Sequence, residues 1–155
     1  ISDVTELNIY DQPLVPLDRE RLAHRESLIA GGKWHDPMFD YAHQFADADD
    51  IIIAAPYWDL GFPAQLKTYI ENIYVTGIVS AYNDHGQSCG LTYITTAGGA
   101  YDPRFSFDYL TAMAEEYFGI RETRLIYAEC LDICGNDPEA ILQSAIDQIE
   151  RSADR

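Results

Sequence analysis

Apolar positions along this chain alternate between short continuous blocks and stripes that recur every three or four residues. "VTELNIY" (Val4 to Tyr10) reads as a strand of mixed polarity, of the kind a sheet edge tolerates, and "DQPLVP" as a proline-punctuated loop. A weakly amphipathic helix is expected from about Asp18 to Ile29, stopped at Gly31-Gly32. Asp36-Pro37 reads as an N-cap with proline in the first helical turn. Met38, Tyr41, Ala42, Phe45 and Ala46 then fall on one helix face. Ile51 to Ala55 is an uninterrupted apolar block, the pattern of a strand covered on both faces. Leu66, Tyr69, Ile70, Ile73 and Tyr74 stripe a helix opened by Pro63. "LTYITTAGG" (Leu91 to Gly99) is a β-branched strand running into a glycine turn. Phe107, Leu110, Thr111, Ala114, Tyr117 and Phe118 stripe another helix, stopped by Gly119. "TRLIYAE" is a further strand, and Asp137-Pro138 caps a last helix carrying Ile141, Leu142, Ala145, Ile146 and Ile149.

Strand and helix in alternation, with apolar strands, predict an α/β fold: a doubly wound parallel sheet with helices on both faces. Ligands of such sheets bind beyond the carboxyl ends of the strands. Two loops there carry unusual chemistry, "PYWDLGFP" and "TAGGAY". Pro56 ends its strand, and Tyr57, Trp58, Asp59 and Leu60 then offer main-chain polar groups beside broad apolar faces. Thr96, Ala97, Gly98 and Gly99 carry little bulk, so a flat ring can approach their backbone, and Tyr101 supplies a wall or a hydroxyl. Either loop alone reads as core cover or an ordinary turn; together they suit a planar heteroaromatic ligand such as a flavin.

Composition narrows the field. At 155 residues and 47% apolar content the chain is expected to form a single domain, 1–155, around one core. With 26 acidic against 10 basic residues, the net charge of −16 argues against nucleic acid or anionic membrane as a partner. No apolar run approaches the ~18–20 residues that span a bilayer, and no basic-then-apolar signal stands at the front. The cysteines, Cys89, Cys130 and Cys134, form neither an even disulfide set nor a metal spacing. They read as buried thiols in a reducing, cytoplasmic setting. His24, His35, His43 and His85 are scattered and no His/Glu/Cys cluster at metal spacing appears, so no metal is expected; neither the phosphate-cradling G-x-G-x-x-G nor a P-loop occurs.

"IIIAAPYWDLGFPAQLKTYIENI", followed by "VTGI", "YITTAGGAY" and "LDICGND", resembles the flavodoxin-like NAD(P)H dehydrogenase (quinone) and FMN-dependent NADH-azoreductase family, from about Val4 to Ile149. The resemblance implies a flavodoxin-like fold of strand order 2-1-3-4-5, with non-covalent FMN and NADH or NADPH as co-substrate. It also implies a homodimer that reduces a small-molecule acceptor, a quinone or azo compound, by hydride transfer through flavin N5. The residues matching the family's cofactor loops are Pro56, Tyr57, Trp58, Asp59 and Leu60, then Thr96, Ala97, Gly98 and Gly99, with Tyr101 close by; no catalytic proton donor is nominated. Asp59 stands where many members carry an amide. A carboxylate accepts hydrogen bonds only, so it is expected to point away from the reduced ring's N1 region. The alternatives are a one-electron carrier of the flavodoxin kind and a flavin-free binding protein on the same fold.

One departure is expected to matter. In the family a first strand, a Ser/Thr-rich FMN-phosphate loop and a first helix precede the segment matching "VTELNIYD", whereas this sequence starts at Ile1 without Met. That first strand, absent here, belongs between the Val4 and Ile51 strands. Without it each loses a pairing neighbour, at roughly 1–3 kcal/mol per buried unpaired backbone group. Two readings stay open: the sequence omits segments of a longer protein, or the protein has lost its phosphate site. The connection from Tyr82 to Tyr93 also reads as shorter than the family's.

Overall fold

The computed structural model describes residues 4–79 and 90–153. His85, Cys89 and most of the Tyr82-to-Tyr93 connection lie outside them. The described chain groups into two compact units, 4–47 with 64–79, and 48–63 with 90–153.

The first unit is helical. Helix α1 (Arg19–Ala30) starts where the Asp18 carboxylate accepts from the Arg21 N–H at 2.8 Å, and it ends at Gly31 and Gly32, the latter at φ +65°. Asp36 caps a 3-10 turn (Pro37–Phe39) that runs into α2 (Asp40–Ala46), burying Phe39, Ala42 and Phe45. Helix α3 (Ala64–Ile73) buries Leu66, Ile70 and Ile73 on one face, as its stripe requires. Arg25 of α1 donates to the carbonyls of Glu71 (3.2 Å) and Tyr74 (3.4 Å), satisfying acceptors that the end of α3 leaves open.

Val4 to Tyr10 is not a strand. No described strand pairs with it, and a lone extended segment gains no ladder bonds. The chain instead curls locally, with Asn8 accepting from the Tyr10 and Asp11 N–H groups. Side chains tie the segment to α3: Gln65 donates to the Ile9 carbonyl (3.5 Å) and Asn72 to that of Val15 (3.1 Å).

Tyr69 packs edge-on against Tyr41 at 6.2 Å, and burial first, then Tyr41, pushes its hydroxyl up to about 12. An unfolded tyrosine ionises near pH ~10. Tyr69 therefore stabilises the fold fully below that value, and its contribution is lost as pH rises toward 12. Urea midpoints measured from pH 9 upward should fall more shallowly for Tyr69→Phe than for the parent chain.

The second unit holds the sheet. Strands β1 (Asp50–Ala54), β2 (Gly90–Thr96) and β3 (Glu122–Ala128) are all parallel, in the order β1-β2-β3, with Ile53 opposite Tyr93 and Tyr93 opposite Leu125. Leu91, Tyr93 and Thr95 alternate into one buried face. Against that face Thr111 of α4 (Phe107–Met113) bonds Thr123 of β3 at 3.3 Å. The expected stripe holds in its buried positions Leu110, Ala114 and Phe118, with a change of helix type along the way. Helix α4 widens into a π-helical turn over Ala114–Phe118 before Gly119 stops it at φ +73°. Helix α5 (Pro138–Ala153), capped by the Asp137 carboxylate, packs beside β3.

Strand β1 also departs from expectation. Covered on both faces by its sequence pattern, it is instead half open: Ile52 is 66% exposed. Only one edge of β1 is paired, because among the described residues nothing hydrogen-bonds to the other.

Candidate functional site

The sheet's register fixes where the two singled-out loops emerge. Ala54 pairs with Ile94, so β1 and β2 end side by side and their loops leave from the same lip. The Ala55 N–H donates to the Ile94 carbonyl (3.0 Å) and the Tyr57 N–H to the Thr96 carbonyl (2.9 Å), which extends the ladder through Pro56. Proline interrupts no bond there, since only its missing N–H is forgone.

Beyond Tyr57 the chain makes a two-residue hairpin. Trp58 and Gly61 exchange N–H···O bonds at 3.1 and 2.8 Å, and Asp59 and Leu60 occupy its corner at φ +50° and +68°. Positive φ at both corner residues is the geometry of a type I′ turn, which favours Asn and Gly. A leucine held there pays a local conformational cost of about 1–2 kcal/mol. The turn lifts two apolar side chains into solvent, Trp58 at 57% and Leu60 at 58% exposure, and leaves the corner N–H groups of Asp59 and Leu60 outside its own pair of bonds.

The second loop is held by a third segment. Ala97 N–H donates to the Ala128 carbonyl (2.8 Å). Leu131, Asp132 and Cys130 N–H groups donate to the carbonyls of Ala97 (3.2 Å), Gly98 (2.9 Å) and Gly99 (2.8 Å). The Asp132 side chain fills the place where a Cβ on Gly98 would stand, with its Cγ 3.0 Å from that position, whereas nothing lies within 4 Å of the same position on Gly99. The bareness expected of both glycines is thus divided. Gly98 is glycine because Asp132 packs on it, and Gly99 alone is open. Asp132 and Cys130 were not singled out from the sequence; "LDICGND" carried a family likeness but no hint that its backbone braces Ala97 to Gly99.

Tyr57 and Tyr101 meet edge-to-face at 4.9 Å, and the ring of Tyr127 of β3 lies 5.2 Å from that of Tyr101. The Tyr101 hydroxyl bonds Ser106 Oγ at 2.9 Å, and its backbone N–H donates to Glu129 (2.7 Å). Burial raises the Tyr101 hydroxyl above its usual range, with Ser106 opposing. Tyr57, Tyr93 and Thr95 each bury a hydroxyl oxygen without a hydrogen-bond partner of good geometry, and burial raises the Tyr93 hydroxyl, with Thr95 opposing. All ten residues named from the sequence therefore fall in the second unit at one lip of the sheet, on two loops joined by the Tyr57–Thr96 bond.

The thiols differ from expectation. Cys130 is only partly buried, at φ +60°, and Cys134 is exposed, because both belong to the surface loop after β3 rather than to the strand itself. Among the described residues no group of three or more His, Cys, Asp or Glu could hold a metal, and no helix is long and apolar enough to cross a membrane.

A parallel sheet with paired carboxyl-end loops of this chemistry defines a flavodoxin-like protein, and the family model described as Flavodoxin-like fold matches residues 2–153. The chain belongs to this family, and within it to the group of the FMN-dependent NADH:quinone oxidoreductases, on relatives similar over nearly its whole length. It is 34% identical to "FMN-dependent NADH:quinone oxidoreductase 2" of Clostridium acetobutylicum, over 98% of this chain and 80% of the relative. It is 39% identical to the FMN-dependent NADH:quinone oxidoreductase of Caldicellulosiruptor saccharolyticus, over 99% and 82%. Among solved structures, an FMN-dependent NADH-azoreductase from Bacillus anthracis in complex with FMN has the same fold. Its TM-score is 0.80 at 24% identity, covering 96% of this chain and 79% of that one.

Proposed function

We propose that this chain is an FMN-dependent NADH oxidoreductase that reduces quinone or azo acceptors, built as a single flavodoxin-like domain that pairs into a homodimer in the cytoplasm. The observation that carries the reading is the Tyr57–Thr96 bond. It sets the Trp58 hairpin beside the Gly99 opening at the lip of a parallel sheet, where such folds bind their ligands. The names of the relatives support the same activity.

The residues present fit the ring of FMN. Trp58 and Leu60 supply an apolar surface, Gly99 allows close approach, and the N–H groups of Asp59 and Leu60 would donate to the ring's polar edge. Thr96, Ala97 and Gly98 hold the far side in place, with the Tyr57 and Tyr101 rings packed on each other beside it as a support. Bound FMN would supply the redox chemistry, accepting hydride from NADH and passing it to the acceptor. The protein's part is to orient the ring, keep water from it and offer donors to the charge that reduction creates.

Titrating FMN into the purified chain and then adding NADH without oxygen tests this. Loss of absorbance at about 450 nm within seconds is expected. FMN that binds but bleaches only through a partner reductase would make the protein an electron carrier. No FMN uptake by the full-length protein would remove the reading.

A further inference from the structure

Two thiols take no part in the proposed chemistry. Cys130 and Cys134 are both free, and they bound a loop that folds back on itself. The Cys130 carbonyl accepts from the Ile133 N–H (3.4 Å) and from Asn136 Nδ2 (2.9 Å), while the Asn136 N–H donates to Ile133 (3.1 Å). The chain on either side of Cys134 is therefore drawn to one atom of Cys130. Positive φ at Cys130 (+60°) and Gly135 (+92°) makes the two sharp bends. A ring closed over so few residues loses little further chain entropy. The same loop braces the glycine turn through the N–H groups of Cys130, Leu131 and Asp132.

We propose that Cys130 and Cys134 form a modification site, a dithiol that a hydroperoxide closes to an intraloop disulfide, and that closure loosens the brace on Gly98 and Gly99. The exposed Cys134 thiolate attacks the peroxide. The O–O bond breaks, an S–O bond forms, and the alcohol or water leaves with one proton. The Cys130 thiolate then displaces the sulfenic oxygen as water, forming the S–S bond. The dithiol loses two electrons and the hydroperoxide gains them. The loosening half rests on the cofactor reading; the disulfide half does not.

The test uses the full chain with Cys89→Ser and one equivalent of hydrogen peroxide. A loss of about 2 Da in intact mass, reversed by dithiothreitol and mapped to one peptide holding both cysteines, is expected. A gain of roughly 16 or 32 Da would overturn the proposal, as would a disulfide between two chains or the same 2 Da loss after Cys134→Ser. FMN titration reads the second half: affinity should fall several-fold on oxidation of the dithiol chain and stay constant in Cys134→Ser. An unchanged affinity in a disulfide-bonded sample sinks the loosening. Failure of the reduced chain to bind FMN sinks the cofactor reading instead, with the mass result still deciding the disulfide.

Discussion

Gly98→Ala should lower stability and weaken FMN binding together. The added methyl would meet the Asp132 carboxylate, with Cγ 3.0 Å from the new atom, so this exposed side chain must turn away or the two loops must part. The Asp132 backbone is fixed, since its N–H donates to the Gly98 carbonyl at 2.9 Å. Turning Asp132 outward gives up its packing on the turn, and any crowding that remains strains the row of bonds to Ala97, Gly98 and Gly99. Overpacking of this kind costs about 1–3 kcal/mol. At roughly 2–4 °C per kcal/mol, that is a visible fall in Tm. FMN affinity should drop about tenfold, or roughly 1.4 kcal/mol, because the disturbed turn is the one proposed to lie beside the ring. The double variant Gly98→Ala with Asp132→Gly tests the cause. Removing the obstructing side chain should restore most of the Tm, a non-additivity of about 1 kcal/mol or more. If the double variant is as unstable as the sum of its singles, Asp132 is not what keeps position 98 bare.

Trp58→Ala should do the reverse, leaving the fold intact and stripping the ligand. Its side chain is more than half exposed, and the hairpin is closed by its backbone, not its ring. Thermal unfolding should therefore shift by no more than about 2 °C, as expected of an exposed position. An aromatic stacked on a flat heterocycle contributes on the order of 1–3 kcal/mol, so Kd for FMN should rise between about fivefold and a hundredfold. Trp58→Phe, keeping a smaller ring, should fall between. Flavin fluorescence titration measures all three. An unchanged Kd for the alanine variant would place the ring elsewhere.

Helices were the most legible part of this sequence. Asp18, Asp36 and Asp137 are side-chain caps, and Gly31-Gly32 and Gly119 are stops, all acting on their own few residues. Local chemistry was therefore enough to place those boundaries. Strands depend on neighbours, and there local pattern misled. Val4 to Tyr10 carries strand-like residues but has nothing described to pair with, and Ile51 to Ala55 has the apolar run of a doubly covered strand yet leaves Ile52 in solvent. The site shows the same division. Glycine and aromatic content marked both loops, and parallel pairing set them side by side. That Asp132, thirty-four residues on, occupies one face of Gly98 is a long-range contact that no local spacing encodes.

The bare edge of β1 has a consequence for handling the protein. Among the described residues no strand pairs with the outer edge of β1, and the alternate backbone groups that face that way can accept a further strand. Mutual repulsion between chains of charge −16 opposes such stacking. High salt or acid weakens that repulsion, so edge-to-edge association of this chain should increase under those conditions.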